Sequence, residues 1–579
     1  MSKKPGILLH SVSKYACELI LAICLFASFY HNSKNNTNEG IIRSDGVGYY
    51  AYLPAIFIYN DYQYTFIDSV QKHHKEITIS RDFLSKTDKG DINKYYVGEA
   101  MLQTPFFLIA HFLSLLSGLP ADGFSLLYQL SVLVAANFFL WTGCRFTRKL
   151  LLEYGIPSET IAFILCLTVF GSNLFFYATV EFSYSHIYSY GIVSAFLFYS
   201  YSFVKYRRPG HLYLAAFLYA MVLLLRPTNA FVLLLVPFFA GSLKNLAEVI
   251  KAISLRSWII SAAIGAFMIF LQLLLYYLQT GHFFIWSYGT ERFYFDDPQF
   301  FNILCEYRKG LFVYAPLTLL SLGGLIYVFR QNKFQFFVLL VFIFLFTYVA
   351  ASWWCWWYGG SLGQREFVDI YCIVSLLLAF LYLSIRSKAG RIVYYMSSLL
   401  FIYWSLTLTY QYRHQIIDCY NMNSKKFWFT FLKTSPDIEG LVYAHKFFVD
   451  GEPTNLVWLK ASSSNKYVSS DKNPESSVCV CRDKAMMWET FNLVPLEGNK
   501  VAIKADDGTY FSARLNEQNR ISHIAPELKE WERFELVWVK EGVAALKACN
   551  NKFVLLRGEE LFADANSAES AEKFLIIKK

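Results

Sequence analysis

The sequence predicts a polytopic α-helical membrane protein with an all-β C-terminal domain, on three observations. Apolar runs of spanning length recur from about Tyr15 to Tyr410. Of 579 residues, 55% are hydrophobic, 19% aromatic and only 17% charged, a load too apolar for a soluble chain of this size. From roughly Asn455 the composition turns ordinary and the chain repeats itself three times. The net charge of +9 is modest and sits at the ends of apolar segments, so it reads as a topology signal and not as a nucleic-acid footprint. The 11 cysteines show no paired spacing, and Cys479 and Cys481 are too close for an ordinary zinc site, so neither a metal nor a disulfide framework is expected.

The N-terminus carries basic residues and then an apolar run with no small-residue cleavage site, which predicts an uncleaved first helix. Candidate spans lie near 15–31, 101–118, 125–143, 160–180, 185–204, 211–225, 228–243, 257–278, 311–329, 334–352, 366–385 and 392–410. If all of them cross, the basic loops fall on both sides. The segment 101–118 is short and holds Gln103, Pro105 and His111. Laid in the interface, it leaves about eleven spans and sorts every basic cluster to one side. Those clusters are Lys3, Lys4 and Lys14; Arg145, Arg148 and Lys149; Lys205, Arg207 and Arg208; Lys244, Lys251 and Arg256; Arg330 and Lys333; and Arg386, Lys388 and Arg391. The N-terminus is then cytoplasmic. The opposite face receives loop 32–124, residues 180–184, the Arg226–Pro227 turn, loops 279–310 and 353–365, and everything after about Gln411. The domain plan is 1–412 membrane domain, 413–454 linker and 455–579 β-domain.

The outer face collects Asp45, Glu181, His186, Arg226, Glu291, Arg292, Asp296, Asp297, Arg308, Lys309, Arg365, Glu366, Asp369 and Arg413. Charges at helix mouths are costly to keep without a role, which predicts an active site on this rim. Loop 32–124 is too long for a connector. It opens with "RSDGVGYYAYLPAIF" (43–57), in which an acid precedes an aromatic run suited to an interfacial helix. Asp45 is the candidate general base: glycines at 46 and 48 permit a tight turn, and an apolar membrane edge is expected to raise its pKa. Its competing role is to cap a helix beginning near Tyr49.

For an anion, Arg365 follows a glycine-rich turn at a helix start, where N–H groups already favour negative charge. It competes for that role with pairing to Glu366 or Asp369. Arg308 and Lys309 come second, with lipid anchoring as their alternative. Arg226 either lines a cavity or pairs with an acid, and Arg292 shares the rim. Glu181 and His186 offer a second acid and a hydrogen-bonding partner, or a plain polar helix end. Trp356, Trp357 and Tyr358 suit stacking on a sugar or prenyl chain, or an interfacial aromatic belt.

One helix, then a large outer loop with an early acid, resembles the GT-C superfamily of membrane glycosyltransferases. "YATVEFSYSH" (177–186), "LLLRPTNAFVLL" (223–234), "ERFYFDDPQF" with "CEYRKGLFVYAPL" (291–317) and "WWYGGSLGQREFVDIY" (356–371) follow in order. They are similar to bacterial mannosyltransferase-like proteins related to protein O-mannosyltransferases and aminoarabinose transferases. The resemblance implies transfer of a sugar from a polyprenyl-phosphate carrier to a glycan, lipid or protein acceptor, on the outer face of a bacterial inner membrane. In that frame Asp45 is the base. Arg365, Arg308, Lys309, Arg226 and Arg292 hold the leaving phosphate, and Glu181 and His186 orient the acceptor. No cofactor is required, and a divalent metal has room. The alternatives are a glycan-lipid transporter or flippase, and a non-catalytic scaffold. A transporter should show internal repeats and polar residues at mid-membrane depth, and Gln272 is an isolated exception here.

In the tail, "LKASSSNKYVS" (459–469), "IKADDGTYFSA" (503–513) and "LKACNNKFVLL" (546–556) align. "WETFNLVPLEGN" (488–499), "WERFELVWVKEG" (531–542) and "AEKFLIIKK" (571–579) follow them in turn. Three β-rich repeats resemble a β-trefoil of the fascin-like kind, with Phe491, Phe534 and Phe574 in the core and Trp488 and Trp531 beside them. The expected role is to bind a carbohydrate or an acceptor, or to cap the chain.

Overall fold

The computed structural model describes residues 12–33, 40–74, 79–289, 291–438, 440–443, 455–470, 478–485, 488–505, 508–515 and 518–578. Lys3 and Lys4 lie outside them. The chain divides into two compact units, Met1–Leu406 and Thr407–Lys579.

The first unit is helical, and its composition and helix lengths are those of a membrane protein. Among the described residues, 8 helices are long and apolar enough to cross a membrane, or up to 9 if the pair Pro227–Ala240 and Leu243–Lys251, bent by 104°, counts as one. The expected eleven are fewer because punctuation breaks the shorter segments. Gly171 ends Ser158–Phe170, Pro227 follows Pro209–Leu225, and Gly323 interrupts Leu317–Gln331. Segment 101–118, expected in the interface, falls in one 20-residue helix, Gly98–Ser117, whose length and apolarity match the spans. Ser185–Tyr206 and Glu366–Ser384 are the most enclosed, 83% and 78% buried, against 17% for Leu255–Thr280. The two enclosed helices carry His186, Glu366 and Asp369 in their first turns, and all three side chains are buried.

The first loop is folded. Its helix begins at Asp45 itself, not near Tyr49, and runs to Pro54 with Gly46 to Pro54 all buried, so its aromatic run packs inside the protein. Pro54 is followed by a π turn, Ala55–Tyr59. After a helix at Phe66–His73 comes a hairpin, β1 (Leu84–Thr87) with β2 (Gly90–Asn93). The two glycines serve close approach, not turning. A Cβ on Gly46 would lie 2.6 Å from the Ser183 carbonyl oxygen, and one on Gly48 2.4 Å from Phe83 Cβ. Gln272 accepts from Val97 N–H at 2.8 Å, and Gln279 of the same helix accepts from Asn93 N–H at 2.8 Å. Both glutamines satisfy buried backbone donors of the first loop.

In the second unit, Gln411 donates to the Thr430 and Lys433 carbonyls at 2.7 Å each. Lys426 and Asp418 form a buried ion pair beside a helix at Ser424–Thr430. Much of the stretch expected as a linker is therefore ordered; residues 444–454 lie outside the described ones. Twelve strands follow: β3 (Leu456–Ala461), β4 (Tyr467–Ser469), β5 (Cys479–Arg482), β6 (Thr490–Pro495), β7 (Lys500–Lys504), β8 (Tyr510–Arg514), β9 (Arg520–Ala525), β10 (Phe534–Lys540), β11 (Val543–Lys547), β12 (Phe553–Arg557), β13 (Glu560–Ala565) and β14 (Lys573–Lys578).

The pairings β3–β6–β7–β10–β11–β14 return from β14 to β3 and close a six-stranded barrel. The hairpins β4–β5, β8–β9 and β12–β13 meet across β13, as a β-trefoil requires. The repeats match bond for bond: Ala461, Ala505 and Ala548 N–H donate to the carbonyls of Lys466, Thr509 and Lys552 at 2.8–2.9 Å. Phe491, Phe534 and Phe574 are all in the core. Trp531, expected beside them, is 37% exposed, so it faces outward. Cys479 and Cys481 are joined by a disulfide within β5, which the spacing did not lead one to expect.

We predict that Gly46→Ala lowers the melting temperature of the solubilised protein by several degrees, since overpacking typically costs about 1–3 kcal/mol. Gly210→Ala, where a Cβ meets nothing within 4 Å, should leave it unchanged. Equal melting temperatures would contradict the packing role.

Candidate functional site

Asp45, Arg226, Arg365 and Tyr358, drawn from three separate stretches of sequence, line one cavity of about 370 Å³. Lys94, Tyr49, Tyr95, Tyr288, Glu291, Trp286, Trp353 and Trp354 are among its other walls.

Asp45 is the first residue of its helix. Ser44 before it stands at φ 48° and makes no side-chain cap bond. The carboxylate instead meets the Arg365 guanidinium, Oδ2 to NH2, at 2.8 Å, so the capping role is not the one its side chain takes. Burial pushes the Asp45 pKa up. The Arg365 charge beside it, the Tyr95 hydroxyl and Lys94 together outweigh burial and hold it below the ordinary carboxylate value. The expected upward shift is thus reversed, because the nearest group is a cation.

Arg365 is positioned by the preceding turn, where Gly359 and Gly363 take φ of 68° and 62°, accessible to glycine at little cost. A Cβ on Gly363 would also lie 2.6 Å from Tyr314 Cβ. The guanidinium lies 5.2 Å from the centre of the Tyr184 ring, and its Nε is buried with no hydrogen-bond partner. Burial lowers its pKa, but Asp45 and the surrounding tyrosines and Glu366 more than restore it, so Arg365 stays charged. The acids expected to compete for it, Glu366 and Asp369, are taken by Arg226.

Arg226 satisfies both readings offered for it. It lines the cavity, and it is paired from behind. Glu366 binds its NH2, and Asp369 Oδ2 is 3.5 Å from its Nε. Asp369 also accepts from His186 Nδ1 at 2.8 Å and from Asn229 Nδ2 at 2.6 Å, and His186 Nε2 is 3.4 Å from Arg226 NH1. The partners are 0–2% exposed in their side chains and Arg226 15%, so only the arginine reaches the cavity. The third cation, Lys94, pairs with Glu291 at 3.0 Å. Glu291 also accepts from Trp354 Nε1 at 3.3 Å, and its carbonyl accepts from Trp286 Nε1 at 3.0 Å. Every cation lining the cavity therefore has a carboxylate partner.

Other residues expected at the site lie elsewhere. Glu181 is held by Arg43, NH2 to Oε1 at 2.8 Å and Nε to Oε2 at 3.2 Å. His186 is enclosed behind Arg226. Lys309 is buried and donates to the Ser361 carbonyl, while Arg308 stacks 3.8 Å from the centre of the Trp357 ring. Arg292 is exposed, with its guanidinium over Tyr294. The cavity takes Trp353 and Trp354 and not Trp356 or Trp357; Tyr358 reaches it with φ at 51° and its hydroxyl on the Ala350 carbonyl.

Among the described residues no group of three His, Cys, Asp or Glu has metal-binding geometry, and Asp45 and Glu181 are each committed to an arginine. Sequence alone did not mark Lys94–Tyr95 in "NKYYVGEA", and it placed Glu291 among the rim charges without a role beside Trp286.

No family model matches the chain, and no curated protein matches it. Among solved structures, the designed three-fold symmetric protein ThreeFoil is similar at 12% identity and a TM-score of 0.20, over 21% of this chain and 97% of that one. The chemistry of the cavity therefore rests on its own residues.

Two predictions follow from the pairings. Because Asp45 has a lowered folded pKa, its pairing contributes stability above the unfolded value of about 3.9 and loses it as pH falls through the folded value. The melting-temperature gap between the parent and Asp45→Asn should be full at pH 7 and close below about pH 4. A gap that widens on acidification would contradict it. Second, Glu366→Gln should destabilise several-fold more than Glu291→Gln in urea unfolding. Breaking a buried pair costs about 3–5 kcal/mol and an exposed one about 0–1, and Glu366 is 2% exposed against 25% for Glu291.

Proposed function

We propose that this chain is a GT-C-type glycosyltransferase that moves a sugar from a polyprenyl-phosphate carrier to an envelope acceptor on the extracytoplasmic face. One observation carries the reading: the acid and two arginines expected to serve as base and phosphate ligands line a single aromatic-walled cavity. In this reading Arg365 and Arg226 take the phosphate of the donor. Tyr95, Trp353, Trp354 and Tyr358 offer faces to the sugar and the first prenyl units. The acceptor hydroxyl gives its proton to Asp45 as its oxygen bonds to the sugar C1. The C1–O bond to phosphate breaks, and polyprenyl phosphate leaves with the electron pair. A positioned base supplies typically 10²–10⁴ in rate, and cations on the leaving group as much or more. No step runs through a metal.

The resting Asp45–Arg365 pair supplies a gate. A carboxylate held by an arginine is a weak base, so a phosphate must first take the guanidinium. The exposures decide which acid yields: Asp45 is 28% exposed in its side chain, while Glu366 and Asp369 behind Arg226 are at 2% and 0%. Deprived of its cation at a half-buried site, Asp45 moves up in pKa toward a useful base. The trefoil is the module that binds glycan or acceptor.

Purified protein incubated with a radiolabelled polyprenyl-phosphate sugar and envelope acceptors should transfer label, and Asp45→Asn should lower the rate by about 10² or more. Transfer that is unchanged in Asp45→Asn would overturn the base assignment.

A further inference from the structure

A second cavity, of about 250 Å³, lies against the first. Arg43, Ser44, Ser80, Asp82 and Phe83 line it, and it shares Asp45, Lys94 and Tyr95 with the aromatic cavity. Those three residues border both spaces. The acids of the first cavity are Asp45 and Glu291, and those of the second are Asp45 and Asp82, so Asp45 is the one acid common to both.

The two spaces differ in chemistry. The first is walled by Tyr49, Tyr288, Trp353, Trp354 and other rings. The second is walled mainly by hydroxyl, carboxylate and guanidinium groups from the turn before Asp45 and the segment leading into β1. Serine hydroxyls both donate and accept, a carboxylate accepts and a guanidinium donates, a mixed set that suits vicinal hydroxyls. The charges nearly balance. Arg43 is held by Glu181, Lys94 by Glu291 and Asp45 by Arg365, and Asp82 adds one negative charge. The first cavity's lining sets Arg226, Arg365 and Lys94 against Asp45 and Glu291, and the second's sets Arg43 and Lys94 against Asp45 and Asp82, so an anion finds a surplus cation in the wall of the first only, while a neutral polyol needs none. The volume is below the 300–1,000 Å³ common for drug-sized ligands and limits the occupant to about one sugar unit.

We infer that this second cavity is the acceptor subsite, and that it takes a neutral, hydroxyl-bearing saccharide unit which presents one hydroxyl to Asp45 from the side opposite the donor. The inference rests on the transferase reading above and names the acceptor class for it. It also gives Glu181 a place: it is a positioning residue that acts through Arg43, and it does not touch the acceptor.

The test uses the purified full-length chain and two probes, methyl glycosides of common hexoses for the second cavity and a short-chain prenyl phosphate for the first. Ser80→Leu fills the second cavity, and Asp82→Asn, at an exposed position, removes an acceptor group with little risk to folding. Both should weaken glycoside binding ten-fold or more and leave prenyl-phosphate binding unchanged, and both should raise the acceptor KM without changing the donor KM. Glycoside binding that is absent from the parent, or indifferent to both variants, overturns the subsite; indifference places the sugar elsewhere, for instance on the trefoil. Equal weakening of both probes overturns it too, since the two spaces would then act as one. If the parent fails to bind prenyl phosphate while glycoside binding still depends on Ser80, the donor reading falls and the saccharide subsite stands.

Discussion

The ion pair between Asp45 and Arg365 is the interaction on which the membrane unit's cavity depends. It ties the first residue of the first-loop helix to the last residue before an enclosed span, and so fixes where two distant loops meet. Around it the same rule repeats: Arg226 with Glu366 and Asp369, Lys94 with Glu291, and Arg43 with Glu181. Charges placed among apolar helices are tolerated only when matched, because an unpaired ion in a low-dielectric setting costs several kcal/mol. The cavity is thus electrically balanced at rest, and any anion that enters must exchange with a carboxylate. Unequal burial of the partners makes that exchange selective.

Sequence reading found Asp45, Arg226 and Arg365 because each breaks an apolar pattern beside glycine or proline, where a charge is conspicuous. It did not find their partners. Which carboxylate meets which arginine depends on the packing of helices far apart in the chain, and periodicity does not encode that. The same limit explains the pKa of Asp45. Its apolar surroundings were legible and point upward, but the nearest cation comes from a loop more than three hundred residues away and reverses the sign. Lys94 was passed over, and Glu291 was given no role, because single charges in polar loops look like solvated ones.

The trefoil was legible to the level of core residues, because three copies of one pattern report their own register. Its tryptophans were not, since Trp488 and Trp531 occupy equivalent positions and only packing decides how far each turns outward. Helix number fell between these cases. Length and apolarity mark the long spans, while Gly171, Pro227 and Gly323 break others into pieces whose crossing a pattern of hydropathy does not fix. The glycines near Asp45 were noticed for the wrong reason: they admit Ser183 and Phe83 against the helix and do not turn the chain.

The central claim is that Asp45 and an incoming phosphate compete for Arg365. Titration of the purified chain with a short-chain prenyl phosphate, followed by the fluorescence of the cavity tryptophans, measures that competition directly. Asp45→Asn should bind the phosphate several-fold more tightly than the parent, and more tightly than Asp82→Asn, which removes a nearby negative charge without releasing an arginine. Binding by Asp45→Asn that is equal to or weaker than that of the parent would contradict the account.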